Sequence, residues 1–149
     1  MEEKRPLSIF DRAIAMAAHA HAGQVDKAGQ PYLLHVLRVM SHMTTDDERI
    51  VAILHDVVED SDYTIEDVRA EQFPEEVVAA VALLTKPDSA DYEKYVAAVS
   101  GNPLARAVKL ADLEDNMDVR RITHPTDKDL ARLLKYRRAW AFLRGEEGE

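Results

Sequence analysis

Four residues that can bind a metal or transfer a proton lie close together between Ile53 and Asp60, in an otherwise apolar stretch. They are His55, Asp56, Glu59 and Asp60. If the stretch is one helix, successive residues turn by about 100°, and all four fall within an arc of about 140°. Polar groups on a core-forming helix are costly to bury unless they meet a cation or a polar substrate. The spacing therefore predicts a metal or acid–base site.

Two further apolar helical runs each carry one side chain of the same type. His35 follows Pro31-Tyr32-Leu33-Leu34, and Asp112 follows Val108-Lys109-Leu110-Ala111. The chain has no cysteine, and a mixed nitrogen and oxygen set suits Mn²⁺, Fe²⁺ or Zn²⁺ better than a structural zinc knot. A histidine alone on such a helix is more often a core residue than a ligand. With all three segments present, we expect one divalent metal to be bound by His35, His55, Asp56 and Asp112.

Composition and charge limit the classes of function. The 149 residues are 46% hydrophobic and 32% charged, which predicts one soluble domain over residues 1–149. The net charge of −9 argues against nucleic-acid binding, which depends on cationic side chains. No signal peptide core or membrane-length apolar run is present, so we expect a cytoplasmic protein that does not bind membranes. The oligomeric state stays open.

Helical signals recur along the chain, without strand alternation, hairpin signals or internal repeats. They predict an all-α bundle of about seven or eight helices around one metal-lined cleft. The predicted helices are 8–22, 31–43, one from 46 through the central motif, a short one after 64, one after 74, 92–99, 104–117 and 126–143. In the last helix, apolar side chains are expected to pack inward, namely Leu130, Leu133, Leu134, Trp140 and Phe142.

Four segments occur in a characteristic order. They are His21-Ala22-Gly23-Gln24, Gly29-Gln30-Pro31-Tyr32-Leu33-Leu34-His35, Leu54-His55-Asp56-Val57-Val58-Glu59-Asp60, and Lys109-Leu110-Ala111-Asp112 followed by Asn116-Met117. Over nearly the whole chain this order resembles the HD-domain metal-dependent phosphohydrolases, and specifically the hydrolase domain of RelA/SpoT-type alarmone enzymes and their small single-domain relatives. The resemblance implies an all-helical HD-domain bundle, one Mn²⁺, and removal of the 3′-pyrophosphate from ppGpp or pppGpp.

The resemblance also assigns roles at the site. Glu59 and Asp60 are expected to be catalytic, positioning or deprotonating the attacking water and protonating the leaving group. The substrate is expected to be a small phosphorylated nucleotide. Its candidate contacts are Lys27, Tyr32, Lys109 and Asn116, with the two lysines at the phosphates. His21 is expected to make a structural hydrogen bond.

Three departures from the family pattern concern the substrate. Asp26-Lys27 stands where many alarmone hydrolases have Arg-Lys, Val36 stands where proline is usual, and Leu113-Glu114-Asp115 stands where an Arg-Leu-His type sequence is common. The missing arginine removes a cation that could stack on a purine. Two alternatives therefore stay open: an HD-family nucleotidase or phosphatase acting on another nucleotide phosphate ester, and a catalytically silent nucleotide-binding module. Retention of Glu59 and Asp60 argues against the second.

Overall fold

The computed structural model describes residues 3–145, which form nine α-helices, one 3₁₀ turn and no β-strand. The α-helices are α1 Ile9–Ala20, α2 Tyr32–Ser41, α3 Asp46–Leu54, α4 Val57–Asp60, α5 Ile65–Ala70, α6 Glu75–Leu84, α7 Tyr92–Ser100, α8 Pro103–Asn116 and α9 Asp127–Leu143. The 3₁₀ turn is Val119–Arg121. The all-α prediction is confirmed. Among the helices of residues 3–145, none has the length and apolar character that crossing a membrane requires.

Polar caps explain where several helices begin. Ser8, Thr45, Thr64 and Thr126 each accept a hydrogen bond from a backbone N–H three residues on, and the acidic side chain at that position binds the cap backbone in return. Such reciprocal capping satisfies amides that have no partner within the helix. The predicted starts of these four helices follow directly from this local chemistry.

Helix α3 lies at the centre of the bundle. Its residues from Ile50 to Leu54 are all buried, and α1, α2, α6 and α8 pack around it. An apolar helix surrounded on most sides gains stability from burial at about 25 cal/mol per Å². The carboxyl end of α3 is consequently held inside the protein, where it presents His55 and Asp56.

The sequence pattern predicted one continuous helix through the central motif, and this prediction is wrong. Helix α3 ends at Leu54, and the single turn α4 begins at Val57. Asp56 between them has φ −107° and ψ 2°, outside the helical range. In an unbroken helix adjacent side chains diverge by about 100°, whereas this break lets His55 and Asp56 turn toward one point. The gain in side-chain convergence accounts for the interruption.

The packing prediction for α9 is confirmed in part: Trp140 packs half-buried against the core and Leu133 is half-buried, but three of the predicted residues are exposed. Leu130, Leu134 and Phe142 are 51%, 59% and 52% exposed, whereas Ala139 and Leu143 are buried. The helix packs against α7 and α8 on one side only. Residues that line up with Ala139 and Leu143 at three- and four-residue steps therefore face the bundle, and Leu130 and Leu134 fall on the opposite side.

We expect Leu143→Ala and Leu134→Ala to differ strongly in stability, although both remove the same atoms from α9. Leu143 is 1% exposed, so truncation should leave a cavity and lower the free energy of unfolding by about 2–5 kcal/mol. Leu134→Ala should change it by less than about 0.5 kcal/mol. Urea unfolding of both variants and the wild type measures this, and equal losses would contradict the packing of α9 through the face that carries Leu143.

Candidate metal centre and adjoining cavities

Four buried side chains form a cluster that can hold a metal ion. They are His35, His55, Asp56 and Asp112, and each offers one ligand atom within 4.8 Å of the other three. Helix α2 supplies His35, the break after α3 supplies His55 and Asp56, and α8 supplies Asp112. The structure thus brings together the four residues that the sequence nominated as ligands.

The candidate ligand atoms of the four side chains lie close together. His35 Nε2 lies 2.9 Å from Asp112 Oδ1, and His55 Nε2 lies 2.9 Å from Asp56 Oδ2 and 3.4 Å from Asp112 Oδ1. Yet His55 Nε2 is buried without a properly oriented hydrogen-bond partner. Because imidazole nitrogens and carboxylate oxygens are ordinary ligands of divalent transition metals, the residues present fit such a cation.

The outward nitrogen of each imidazole is already occupied. His55 Nδ1 donates to the Ala52 carbonyl at 2.5 Å, and His35 Nδ1 donates to Asp115 Oδ2 at 2.6 Å. When Nδ1 of a neutral imidazole carries the proton, the lone pair of Nε2 is available to bind a metal in the cluster. Both histidines are therefore oriented for metal binding through Nε2.

Electrostatics at the cluster favour positive charge. Burial opposes protonation of His35, but hydrogen bonds with Asp112 and Asp115 outweigh it and raise the pKa of His35 to about 9. Burial likewise opposes protonation of His55, yet the nearby charges of Asp56 and Asp112 raise the pKa of His55 well above the usual value. Two buried carboxylates thus attract protons to both rings, and a divalent cation would satisfy the same demand.

Asp112 is fixed by two further residues of α8. Lys109 Nζ donates to its Oδ2 at 2.9 Å, and Asn116 Nδ2 donates to its Oδ1 at 3.1 Å. Burial favours the neutral acid, but the Lys109 cation, the hydrogen bond with His35 and the nearby His55 ring hold the pKa of Asp112 well below its usual range. The ammonium of Lys109, expected at a substrate phosphate, is thus engaged with a ligand carboxylate.

Tyr32 supports the remaining carboxylate. Its hydroxyl donates to Asp56 Oδ2 at 2.5 Å. Burial and the charge of Asp56 raise the pKa of Tyr32 far above its usual value, so the phenol remains protonated. Tyr32, expected to line the substrate cleft, therefore also fixes the orientation of Asp56.

Glu59 and Asp60 lie on α4 at the exposed edge of the centre. Glu59 Oε1 accepts a hydrogen bond from the Lys86 backbone N–H at 2.9 Å, which orients the carboxylate. Partial desolvation by the surrounding protein and the charge of Asp56 raise the pKa of Glu59. Partial desolvation and the charges of Asp56 and Glu59 raise the pKa of Asp60 to about 6. Both groups can exchange protons closer to neutrality than ordinary carboxylates.

Gln24 links the loop before α2 to this pair. Its side-chain Nε2 donates to the Asp60 carbonyl at 2.7 Å and to the Ala20 carbonyl at 3.1 Å. Its Oε1 accepts from His21 Nδ1 at 2.8 Å, so His21 makes the structural hydrogen bond expected from the sequence. Gln24 thereby holds the carboxyl end of α4 in place.

Two cavities open beside the metal centre, with volumes of about 360 and 390 Å³. Asn116 and Tyr136 contribute to both. The remaining lining of the first is Val25, Asp26, Lys27, Tyr32, Val119, Arg121, Ile122, Asp129, Arg132 and Leu133. The remaining lining of the second is Glu59, Asp60, Lys86, Asp88, Tyr92, Tyr95, Lys109 and Lys135. A ligand that bridges the two cavities would pass Asn116.

Asp26 and Lys27 lie at the wall of the first cavity, but both side chains have partners. Asp26 Oδ1 accepts from the backbone N–H groups of Ala28 and Gln30, each at 2.9 Å. Lys27 Nζ lies 3.5 Å from Asp129 Oδ1. The carboxylate of Asp26 therefore closes its own loop as well as adding negative charge to the cavity.

Sequence analysis missed several residues near the centre. Asp115 appeared only as a departure from the family pattern, although that departure places a carboxylate one turn beyond Asp112. Lys135 and Tyr136 gave no signal, because α9 was interpreted as a packing helix. Their place in the cavity walls arises from tertiary packing of α9 against α7 and α8.

Comparisons with known proteins agree with this arrangement. The sequence model of the HD domain matches residues 13–130. The chain is 35% identical over 82% of its length to a probable GTP pyrophosphokinase of Mycobacterium leprae. It is 34% identical over 72% of its length to a guanosine-3′,5′-bis(diphosphate) 3′-pyrophosphohydrolase of Aquifex aeolicus. It spans only 17% of the length of either relative.

A solved structure gives the same result at the level of the fold. It is described as a metazoan ortholog of SpoT that hydrolyses ppGpp and plays a role in starvation responses. The likeness has a TM-score of 0.76 at 26% identity and covers 98% of this chain and 91% of that one. Helices α1 to α9 therefore follow an arrangement already seen in a hydrolase.

We expect Asp60→Asn to stabilise the metal-free protein near neutral pH. The folded-state pKa of about 6 lies above the usual 3.8, so the stability that protonated Asp60 contributes is present below about pH 4 and lost as pH rises through 6. Asparagine avoids that loss. Because Asp60 is exposed, solvent screening reduces the gain to about 0.5–1 kcal/mol.

Urea unfolding in chelator at pH 7.5 and pH 3.5 measures the effect, with Asp62→Asn as control. Asp62 is exposed and lies two residues away on the chain. A gain for Asp60→Asn that was the same at both pH values would mean that ionised Asp60 is not penalised in the folded protein.

Proposed function

Because this chain belongs to the HD domain family, we propose that it is a phosphohydrolase that uses one divalent cation to hydrolyse a phosphorylated nucleotide. The observation that carries the proposal is the buried cluster of four ligand-type side chains with two carboxylates of raised pKa at its edge. Mn²⁺ is the first cation to test, with Fe²⁺ and Zn²⁺ as alternatives. Helices α1 to α9 share one hydrophobic core, which supports one HD domain over residues 1–149.

The substrate proposed first is an alarmone of the (p)ppGpp type. Relatives that match about three quarters or more of the chain carry names of enzymes that make or hydrolyse guanosine bis(diphosphates), and the similar solved structure is of a protein that hydrolyses ppGpp. Hydrolysis would add water across the 3′ phosphoester and release GDP and pyrophosphate from ppGpp. A nucleotide of this size also suits two adjoining cavities better than one.

Each side chain of the site would have one of two roles, metal binding or proton transfer. His35, His55, Asp56 and Asp112 would hold the cation, which supplies Lewis-acid polarisation of a phosphate oxygen and activation of water. Glu59, oriented by the Lys86 amide, would accept a proton from the attacking water. Asp60 would donate a proton to the leaving oxygen. The raised pKa values of both carboxylates support these roles.

The cavities suggest how a nucleotide would lie. The second cavity has Lys86 and Lys135 in its wall beside Glu59 and Asp60, which suits the phosphates that react. The first has Tyr136 for stacking a base and Lys27 at its edge. Asn116 lies between them and would contact the ribose or the bridging phosphate. Tyr32 and Lys109 would act mainly by fixing Asp56 and Asp112.

A second candidate function is hydrolysis of another nucleotide phosphate ester. The observation that favours it is Asp26 in the wall of the first cavity, where a carboxylate opposes binding of a highly phosphorylated nucleotide. A silent nucleotide-binding module is less well supported, because binding alone gives no reason to place Glu59 and Asp60 together with raised pKa values.

The deciding experiment measures pyrophosphate and orthophosphate release from a panel of nucleotides that includes ppGpp, pppGpp, GTP, ATP and nucleoside monophosphates. We expect ppGpp to yield GDP and pyrophosphate with Mn²⁺ and no product with chelator. Orthophosphate or pyrophosphate from another nucleotide alone would favour the second candidate. Binding of ppGpp without turnover under any metal condition would favour the silent module.

We expect Asp56→Ala and Glu59→Gln to abolish turnover in different ways. Asp56→Ala removes a ligand and should weaken binding of Mn²⁺ as well as activity. Glu59→Gln keeps an oxygen that can accept from the Lys86 amide but cannot take a proton. It should retain Mn²⁺ and lose about 10²–10⁴ of turnover. Metal analysis after dialysis separates the two variants, and full activity of Glu59→Gln would refute its assignment as base.

We expect substitutions at Asp26 to increase alarmone hydrolysis. Asp26→Asn keeps an oxygen for the loop amides of Ala28 and Gln30 and removes only the charge, so kcat/KM for ppGpp should rise about threefold, with a gain that shrinks in high salt. Asp26→Arg adds a cation. A charge-assisted contact of about 1.5–3 kcal/mol would raise kcat/KM about ten- to a hundredfold.

The pair of variants separates charge from loop structure. Loss of activity in Asp26→Arg alone would show that the two loop hydrogen bonds matter more than the charge. If neither variant changes kcat/KM for ppGpp while the wild type is already fast, Asp26 does not select the substrate.

A further inference from the structure

Asp115 lies in the last turn of α8, one turn beyond Asp112. We propose that Asp115 is a positioning residue whose carboxylate holds the His35 imidazole with Nε2 turned toward the metal. The inference rests on the proposed metal centre and extends it to a residue outside the set of metal ligands. The observation that supports this role most directly is the 2.6 Å hydrogen bond from His35 Nδ1 to Asp115 Oδ2.

The position of the Asp115 carboxylate is fixed from two further sides. Arg38 on α2 donates through Nε to Oδ1 at 2.7 Å and through its terminal nitrogen to Oδ2 at 3.1 Å. Arg121 in the 3₁₀ turn donates to Oδ2 at 3.2 Å and to the Asp115 carbonyl at 2.7 Å. Two guanidinium groups therefore locate both oxygens, and a paired Arg–carboxylate contact of this kind is geometrically specific.

The two imidazoles of the cluster have different partners. His55 Nδ1 faces the neutral carbonyl of Ala52, whereas His35 Nδ1 faces a carboxylate. An anionic acceptor fixes the ring and increases the electron donation of the opposite nitrogen more than a carbonyl does. His35 should therefore be the more strongly oriented of the two candidate ligands.

The same contacts account for a departure from the family pattern. Asp115 stands where an Arg-Leu-His type sequence commonly has histidine. A carboxylate so near Asp112 and Asp56 would add unfavourable negative charge to the centre if it were unpaired. Arg38 and Arg121 offset that charge, so the departure is compatible with metal binding and contributes to it.

The test measures Mn²⁺ affinity by calorimetry on the full chain. Asp115→Asn keeps the size of the side chain but removes its charge, and we expect Mn²⁺ to bind about 10- to 100-fold more weakly, as for other residues that orient a metal ligand. Asp118→Asn is the matched control. Asp118 also pairs with Arg121, at 3.4 Å, but has no hydrogen bond with His35. The Mn²⁺ affinity of Asp118→Asn should therefore stay within about twofold of the wild-type value.

A spectroscopic measurement separates orientation of His35 from general stability. In ¹⁵N-histidine-labelled wild type loaded with Zn²⁺, His35 should show a proton on Nδ1 and metal at Nε2. Asp115→Asn should shift that Nδ1 proton to higher field and leave the corresponding signal of His55 in place. This readout depends on the tautomer and the hydrogen bond, which a merely structural contact between α2 and α8 would not change selectively.

The possible results distinguish the role of Asp115 from the existence of the metal centre. If Asp115→Asn folds and binds Mn²⁺ as tightly as the wild type, the inference about Asp115 is overturned and the proposed metal centre still stands. If Asp115→Asn does not fold, the wild-type spectrum still decides, because an unprotonated Nδ1 on His35 would overturn the inference. Failure of the wild type to bind Mn²⁺, Fe²⁺ or Zn²⁺ would overturn the proposed function itself.

Discussion

The arrangement of the bundle depends on two carboxylates and two imidazoles buried together in its core. Isolated charges in such surroundings are strongly disfavoured, and carboxylates are retained there only if cations and hydrogen-bond donors surround them. The fold supplies both. Lys109 and Asn116 reach Asp112 from its own helix, and Tyr32 reaches Asp56 from α2. Much of the polar chemistry of α2 and α8 is explained by this one requirement.

The same requirement shapes the backbone. Four ligand atoms can meet only if three helices converge and if two neighbours on one of them point the same way. Helix α3 meets α2 and α8 because it is surrounded on most sides, which places its carboxyl end in the core. The break at Asp56 lets the side chains of His55 and Asp56 point the same way. The hydrogen bond from His55 to the Ala52 carbonyl then satisfies one of the carbonyls that the interrupted helix leaves unpaired.

Prediction from the sequence succeeded where the controlling physics is local or strongly patterned. Ser8, Thr64 and Thr126 begin helices as predicted, because caps depend on a few consecutive residues. It did not identify the break at Asp56, because apolar periodicity continues across that residue.

Other failures have a tertiary cause too. The phosphate contact expected of Lys109 stays a prediction, but its contact with Asp112 could not be foreseen because the buried face of α8 was not known. Leu130 and Leu134 looked like core residues because hydrophobicity alone does not say on which side of α9 the bundle lies. Asp115 was recognised as unusual, but its importance depends on Arg38, 77 positions away in sequence.

The hydrogen bond from Gln24 to the Asp60 carbonyl has a consequence for how this site can be modified. Gln24 belongs to the loop that ends at α2 and contributes Asp26 and Lys27 to one cavity wall, whereas Asp60 belongs to the segment that faces the other cavity. The loop is therefore not an independent module. An exchange of this loop between homologues would therefore have to carry Gln24 and His21 with it to keep this contact between the loop and α4.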